Sequence, residues 1–192
     1  MRMTSERKAE TRERILAAAG ALFRSHGIDA VGVDAIMHRA GLTHGGFYAH
    51  FASKEALVAE VSDAALARSA TRWERISQEA DPATALERIV ESYLDPAHVA
   101  ASEHGCVLTT LGPEMARRHG ARPGITTSVR RMLDVLARCL PERRRHRALA
   151  TLSAMVGAVV LARLCDDPRL ADEFLGAARE AAELPSSGLP KD

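Results

Sequence analysis

Aromatic residues, cysteines and net charge are all scarce in this chain, and each shortage removes a class of protein. Aromatics make up 4% of the 192 residues, against an apolar content of 46% in which Ala and Leu dominate. No run of alternating β-branched or aromatic residues appears, so strands lack their usual building blocks and the chain reads as all-α. The three cysteines, Cys106, Cys139 and Cys165, stand far apart without a CxxC spacing. That excludes a disulfide framework or zinc site and points to a reducing compartment. The charged N-terminus has no apolar signal-peptide core, which places the protein in the cytoplasm. No P-loop, GxSxG or HExxH is present, and acids such as Glu103, Glu114, Asp166 and Asp167 have no partner at catalytic spacing. Neither an enzyme nor a cofactor is expected. A helical interaction module without DNA is the other alternative, and it leaves the segment described next unexplained.

The formal charge of +1 does not mark a nucleic-acid binder, but its distribution is uneven. Residues 1–54 hold eight cations and five anions, with His26, His38, His44 and His50 besides. A local excess of this kind can supply phosphate contacts that the whole chain lacks. Within it, Val33, Ile36, Met37 and Ala40 recur at the spacing of one helical face, and Gly41 ends that helix. Thr43 is a natural N-cap for a second helix, His44 to Phe51, whose Phe47 and Phe51 lie one turn apart. Ser53 starts a third. Helix, glycine turn and short second helix form the helix-turn-helix layout, in which the second helix enters the DNA major groove.

Ala40-Gly41-Leu42-Thr43, Phe47-Tyr48, His50-Phe51 and Ser53-Lys54-Glu55-Ala56-Leu57 together resemble the DNA-binding domain of the TetR family of transcriptional repressors. The resemblance covers roughly the first third of the chain closely. It implies a homodimer on an inverted-repeat, double-stranded operator, with a small-molecule effector. It also implies a recognition surface of Thr43, His44, Gly45, Gly46, Tyr48, Ala49 and His50, with Tyr48 and Lys54 on the phosphates. At Gly32 the family pattern has Ser or Thr, so one hydroxyl contact to phosphate is missing here. The implied division is a helix-turn-helix domain over residues 1–53, a ligand-binding and dimerisation domain over 54–184, and a flexible polar tail over 185–192, with about nine helices in all.

Ahead of the turn, Ile15, Leu16, Ala19, Leu22 and Phe23 form the stripe of a helix closed near His26-Gly27. After Ser53, a long helix carries Leu57, Val61, Ala65, Trp73 and Ile76. Asp81-Pro82 restarts the chain as an N-cap with proline in the first turn, and Asp95-Pro96 stops the helix that follows. Gly112-Pro113 should kink or break the segment beginning at Gly105, and Arg122-Pro123-Gly124 is the next break. Val129, Met132, Leu133, Leu136 and Leu140 make a further stripe. Ala148 to Cys165 is apolar nearly all round, but its uncharged run is shorter than the roughly 20 residues a bilayer needs, so no membrane span is expected. A helix buried on two sides fits better: one side in its own domain, the other against a second subunit. Leu152, Met155, Val156, Val159 and Val160, with Phe174 and Ala178 of the last helix, are the interface candidates.

Trp73, Tyr93, Cys106, Leu108, Leu111, Met115 and Met132 are candidates to line an effector cavity, whose few polar handles favour a small, largely hydrophobic ligand. Cys106 also starts a helix, a position that favours the thiolate, so a thiol-based electrophile or redox sensor is the alternative trigger. His38, His44 and His50 recur at six-residue steps, which leave successive side chains about 240° apart on a helix and unable to share a metal. Gly45-Gly46 costs roughly 1 kcal/mol per glycine in a helix, a cost that close backbone approach to DNA would explain. Glu142 to Arg147, ERRRHR, reads as a solvated helix start rather than a second nucleic-acid site.

Overall fold

The computed structural model describes residues 5–101, 105–118, 122–141 and 144–183. The tail expected over 185–192, Glu103, Leu184, and Glu142 and Arg143 of the arginine run lie outside them. Every described element is helical: α1 (Ser5–His26), α2 (Val33–Arg39), a 3-10 helix (His44–Ala49), α3 (Lys54–Glu79), α4 (Pro82–Tyr93), α5 (Pro96–Ala100), α6 (Val107–Ala116), α7 (Arg122–Cys139), α8 (Arg144–Leu164) and α9 (Pro168–Glu183). The chain forms two compact units, and their limits differ from the division expected at residue 53. One unit holds residues up to Ser69 together with Ser102–Val129, and the other Ala70–Ala101 and Arg130 onward. α6 and the first part of α7 thus belong with the helix-turn-helix.

In the first unit Ile15, Ala19 and Phe23 of α1, Ile36 and Met37 of α2, Phe47, and Leu57, Val58, Val61 and Leu66 of α3 are buried. The α3 ridge therefore turns inward at Leu66 rather than at the expected Ala65, which is only half-buried. Local signals set the helix ends. Gly27 and Gly41 have φ of +82° and +68°, the left-handed region that L side chains avoid. The Ser53 hydroxyl accepts from the Ala56 amide at 3.1 Å and starts α3. Pro113 lies inside α6, which runs on to Ala116, so Gly112-Pro113 does not break the helix. Arg122-Pro123-Gly124 opens α7 rather than separating two helices, proline being well suited to a first turn.

The second unit is built on α4, α7, α8 and α9. Asp81 caps α4 by accepting from the amides of Ala83 and Thr84, both at 3.1 Å, and Leu86, Ile89, Val90 and Tyr93 are buried. Asp95 not only stops α4 but caps a further short helix, α5, through the Ala97 amide at 2.6 Å. Arg163, which interrupts the apolar sequence of α8, donates to the carbonyls of Val99 at 2.9 Å and His98 at 3.0 Å. It thus fills the last turn of α5 with positive charge. Arg179 of α9 donates to the Leu94 carbonyl at 2.8 Å, tying α9 to the end of α4. Across 21 residues α8 is long and apolar enough, by length and composition alone, to cross a membrane, which the uncharged run in the sequence understated. Its Ala148, Thr151, Leu152, Met155, Ala158, Val159 and Ala162 are buried in the second unit, where it packs along α9.

Candidate nucleic-acid interface

The interface is built on a glycine turn. Gly32 stands at the N-cap of α2 with extended backbone and no side-chain bond. At the other end the Gly41 amide donates to the His38 carbonyl and the Leu42 amide to the Met37 carbonyl, both at 2.9 Å. This paired closure is open to a left-handed residue and aims the chain into the next helix. Arg14 of α1 clamps the same turn by donating to the Ala40 carbonyl at 2.5 Å.

The second helix differs from expectation: it is a 3-10 helix of six residues, His44–Ala49, ending before His50 rather than an α-helix reaching Phe51. Thr43 occupies the N-cap but its hydroxyl makes no cap bond. With no side-chain cap and two glycines in its first turn, the segment lacks what sustains an α-helix, and short pieces of chain close with i to i+3 bonds instead. The Gly46 amide accordingly donates to the Thr43 carbonyl at 3.1 Å and that of His50 to the Phe47 carbonyl at 2.9 Å. Packing holds the helix from beneath. Phe47 is fully buried and stacks on Phe51 with centroids 5.7 Å apart, and the Arg12 guanidinium lies 4.5 Å over the Phe51 ring while its N–H edge donates to the Glu60 carboxylate.

What faces outward is the sequence-derived recognition set. Thr43, His44, Gly45, Tyr48 and Ala49 are exposed, Tyr48 at 65%, while Gly46, His50 and Lys54 are half-buried. The His44 Nδ1 is hydrogen-bonded to the Asp34 carboxylate of α2. His50 is held below its ordinary pKa by burial, then by the charges of Lys8 and Arg12. Its Nδ1 is buried and without a hydrogen-bond partner. The glycines have no internal cause. Neither has positive φ, a Cβ on Gly45 would meet nothing within 4 Å, and one on Gly46 would only touch the Met37 methyl at 3.5 Å.

Sequence reasoning missed one feature of this unit. The Glu114 carboxylate of α6 accepts from the backbone amides of Ile28 at 2.8 Å and Asp29 at 3.4 Å, in the turn between α1 and α2. Arg118, just past α6, pairs with Asp29 and, at 3.5 Å, with Glu55. The long separation in sequence gave no signal, since an acid opposite an amide pair has no motif.

The effector candidates fall into two groups. Cys106, at the N-cap of α6, is buried with Leu111 and Met115, and Leu108 is half-buried, all in the first unit. Trp73, Tyr93 and Met132 are buried in the second, where the Trp73 and Tyr93 rings meet edge to face at 5.9 Å. Of the interface candidates, Leu152, Met155, Val159 and Ala178 are already buried within the chain, while Val156, Val160 and Phe174 are partly exposed.

An all-helical protein with a glycine-turned helix-turn-helix, its second helix fixed by buried phenylalanines and its outer face left polar, is a DNA-binding regulator. Residues 15–61 match the family model described as bacterial regulatory proteins, tetR family. No curated protein matches it. Among solved structures it is similar to a TetR-family regulator from Cytophaga hutchinsonii, with a TM-score of 0.79, 16% identity, and coverage of 94% of this chain and 96% of the other. A TetR-family regulator from Agrobacterium tumefaciens gives 0.77 and 18%, covering 90% and 97%. The reduced form of Escherichia coli NemR gives 0.76 and 18%, covering 88% and 95%. At these identities the likeness is one of fold.

Proposed function

We propose that this regulator is a repressor that binds an inverted-repeat operator as a homodimer and leaves it when a small, largely hydrophobic effector binds. The observation that carries the reading is the two-sided character of α8. Ala148, Met155, Val159 and Ala162 cover one side within the chain, while Leu149, Val156, Val160 and Leu164 line the other, with Leu149 and Leu164 exposed. A helical wheel puts these four within about 80° of one another, their centre about 125° from that of the buried side. Leu170 and Phe174 add to the apolar surface on α9. An uncovered apolar stripe of that length on paired helices favours a two-fold partner, and two-fold pairing doubles the few base pairs that one six-residue helix can read. Selection of binding sites from a random duplex library tests the reading. Enriched sequences should be two-fold symmetric, and asymmetric single half-sites would overturn it.

For the switch, the tie between Glu114 and the turn after α1 supports a route within the first unit: an effector that displaces α6 withdraws the acceptor from two backbone amides of the head. To empty the DNA-bound population the effector must prefer the displaced state by roughly 5.5 kcal/mol. Cys106 at the N-cap of α6 keeps the thiol-sensor reading as the second one, and the likeness to reduced NemR directs attention to it. Burial of the cysteine favours reversible binding as the first.

A further inference from the structure

A cavity of about 330 Å³ opens in the second unit between α4, the end of α7 and the start of α8, and none of the residues discussed as effector contacts lines it. Its walls are aliphatic, from Leu86, Val90 and Leu140, with the Cys139 thiol beside them. Glu87 and Arg147 supply one charge of each sign. The volume is at the lower end of small-molecule sites, and lining of this kind, apolar with a few convergent polar groups, is what such sites share. The floor is buried at Val90, Cys139 and Leu140, where burial pushes the Cys139 thiol pKa up, and the rim is exposed at Ala83, Glu87 and Pro141. Arg147 is not on the Leu149–Val156–Val160 side of α8, so the cavity and the proposed dimer face do not overlap on that helix.

We propose that this cavity is a second ligand site, distinct from the effector contacts above, which takes a small neutral amphiphile: a short aliphatic chain carrying one hydroxyl or amide. The chain follows from the walls. The head follows from the charges, because a hydroxyl or amide can accept from the Arg147 guanidinium and donate to the Glu87 carboxylate. A carboxylate, which only accepts, can be held by Arg147 alone, and an ammonium, which only donates, by Glu87 alone, each beside one like charge, whereas the neutral head uses both groups. The proposal concerns binding alone and stands or falls without DNA.

Calorimetric titration of the full chain with 1-butanol, 1-hexanol and 1-octanol, alongside octanoate and octylamine, tests it. Saturable binding should strengthen about fourfold per added methylene until the cavity is full. Octanoate and octylamine should each bind at least about tenfold more weakly than octanol, the scale of one lost hydrogen bond to a charged group. Ala83→Trp fills the cavity from its exposed rim and should abolish binding while the melting temperature stays within a few degrees. Glu87→Ala, at an exposed position, should reverse the preference so that octanoate binds more tightly than octanol. Absence of saturable alcohol binding overturns the site, as does a folded Ala83→Trp variant that binds like the wild type. An unchanged head preference in Glu87→Ala overturns the assignment of the ligand class.

Discussion

Phe47 and Tyr48 are neighbours in the recognition helix with opposite tasks, and exchanging each for alanine separates folding from DNA binding. Phe47 is fully buried and stacked on Phe51. Its removal leaves a cavity under the helix and should cost about 3–5 kcal/mol. Tyr48 is 65% exposed and touches its surroundings through edge contacts to Phe47 at 5.2 Å and His44 at 6.3 Å. Such exposed edge contacts stand at the low end of aromatic pair energies, so Tyr48→Ala should cost less than about 1 kcal/mol, a shift of roughly 2–4 °C in a chain of this size. On DNA the ranking reverses. A hydrogen bond to a charged phosphate contributes roughly 1.5–3 kcal/mol, so losing the hydroxyl should weaken binding at least about tenfold. Because tyrosine carries no charge, the slope of affinity against salt should stay put in Tyr48→Ala, whereas Lys54→Ala should flatten it by about 0.9. Fluorescence anisotropy on the selected operator between 50 and 200 mM KCl, with thermal melts of each variant, reads both quantities. Tyr48→Phe should melt like wild type and bind like Tyr48→Ala. If Tyr48→Ala with Lys54→Ala binds as tightly as wild type while melting normally, the outward face of this helix is not the DNA surface.

Val156→Glu or Gly157→Arg should give monomers or insoluble protein in sedimentation experiments, and an unchanged folded dimer for both would move the interface away from the outer face of α8. Glu114→Ala, which removes the oxygen that accepts from the Ile28 and Asp29 amides, should lower DNA affinity without effector by up to about tenfold; equal affinity would disconnect α6 from the head. Cys106→Ser should leave induction by a reversible effector nearly intact, and loss of all induction together with electrophile-dependent release in the wild type would reverse the order of the two trigger readings. His50 and His98 are both held below the ordinary histidine pKa, mainly by burial, the Tyr93 carbonyl opposing this at His98. The unfolded chain therefore takes up protons first, so stability is full above pH of about 6.5 and falls as the pH drops below it. Melting at pH 7.5 and 5.5 should show that drop, and a His50→Asn, His98→Asn double variant that loses as much as wild type would rule these groups out.

The helix-turn-helix was legible because its signals are local. A left-handed glycine, an N-cap serine and a pair of aromatics one turn apart act within a few residues, and Gly41, Ser53 and Phe47 stand where those rules put them. The helix type was not legible: Thr43 reads as a cap in sequence, and only the structure shows that its hydroxyl makes no cap bond and that the segment closes as a 3-10 helix. Pro113 misled in the other direction. Proline lacks one amide and crowds the preceding turn, yet α6 tolerates it because Leu111 and Met115 bury the face on either side. Apolar periodicity located α8, but periodicity cannot say which of two apolar sides the chain covers itself. Met155 and Val159 were as plausible for the interface as Val156 and Val160 until the burial of each was known.

Gly27 joins the local rule to the proposed switch. Its φ of +82° ends α1, its own amide donating to Phe23 at 2.8 Å, and turns the next two amides, those of Ile28 and Asp29, toward Glu114. A Cβ at this position would lie 3.1 Å from Glu114 Oε1, so a side chain would strain the backbone and crowd the acceptor at once. The turn is thus shaped as much for its partner in α6 as for the helix it closes. The part-buried Ile28 amide and the exposed Asp29 amide share one acceptor, and it comes from the element on which the proposed effector acts. Withdrawing Glu114 leaves two donors of the DNA-binding head to find water or rearrange. That converts a displacement of α6 into a free-energy difference between two states of the head, which is the coupling a ligand-operated regulator requires.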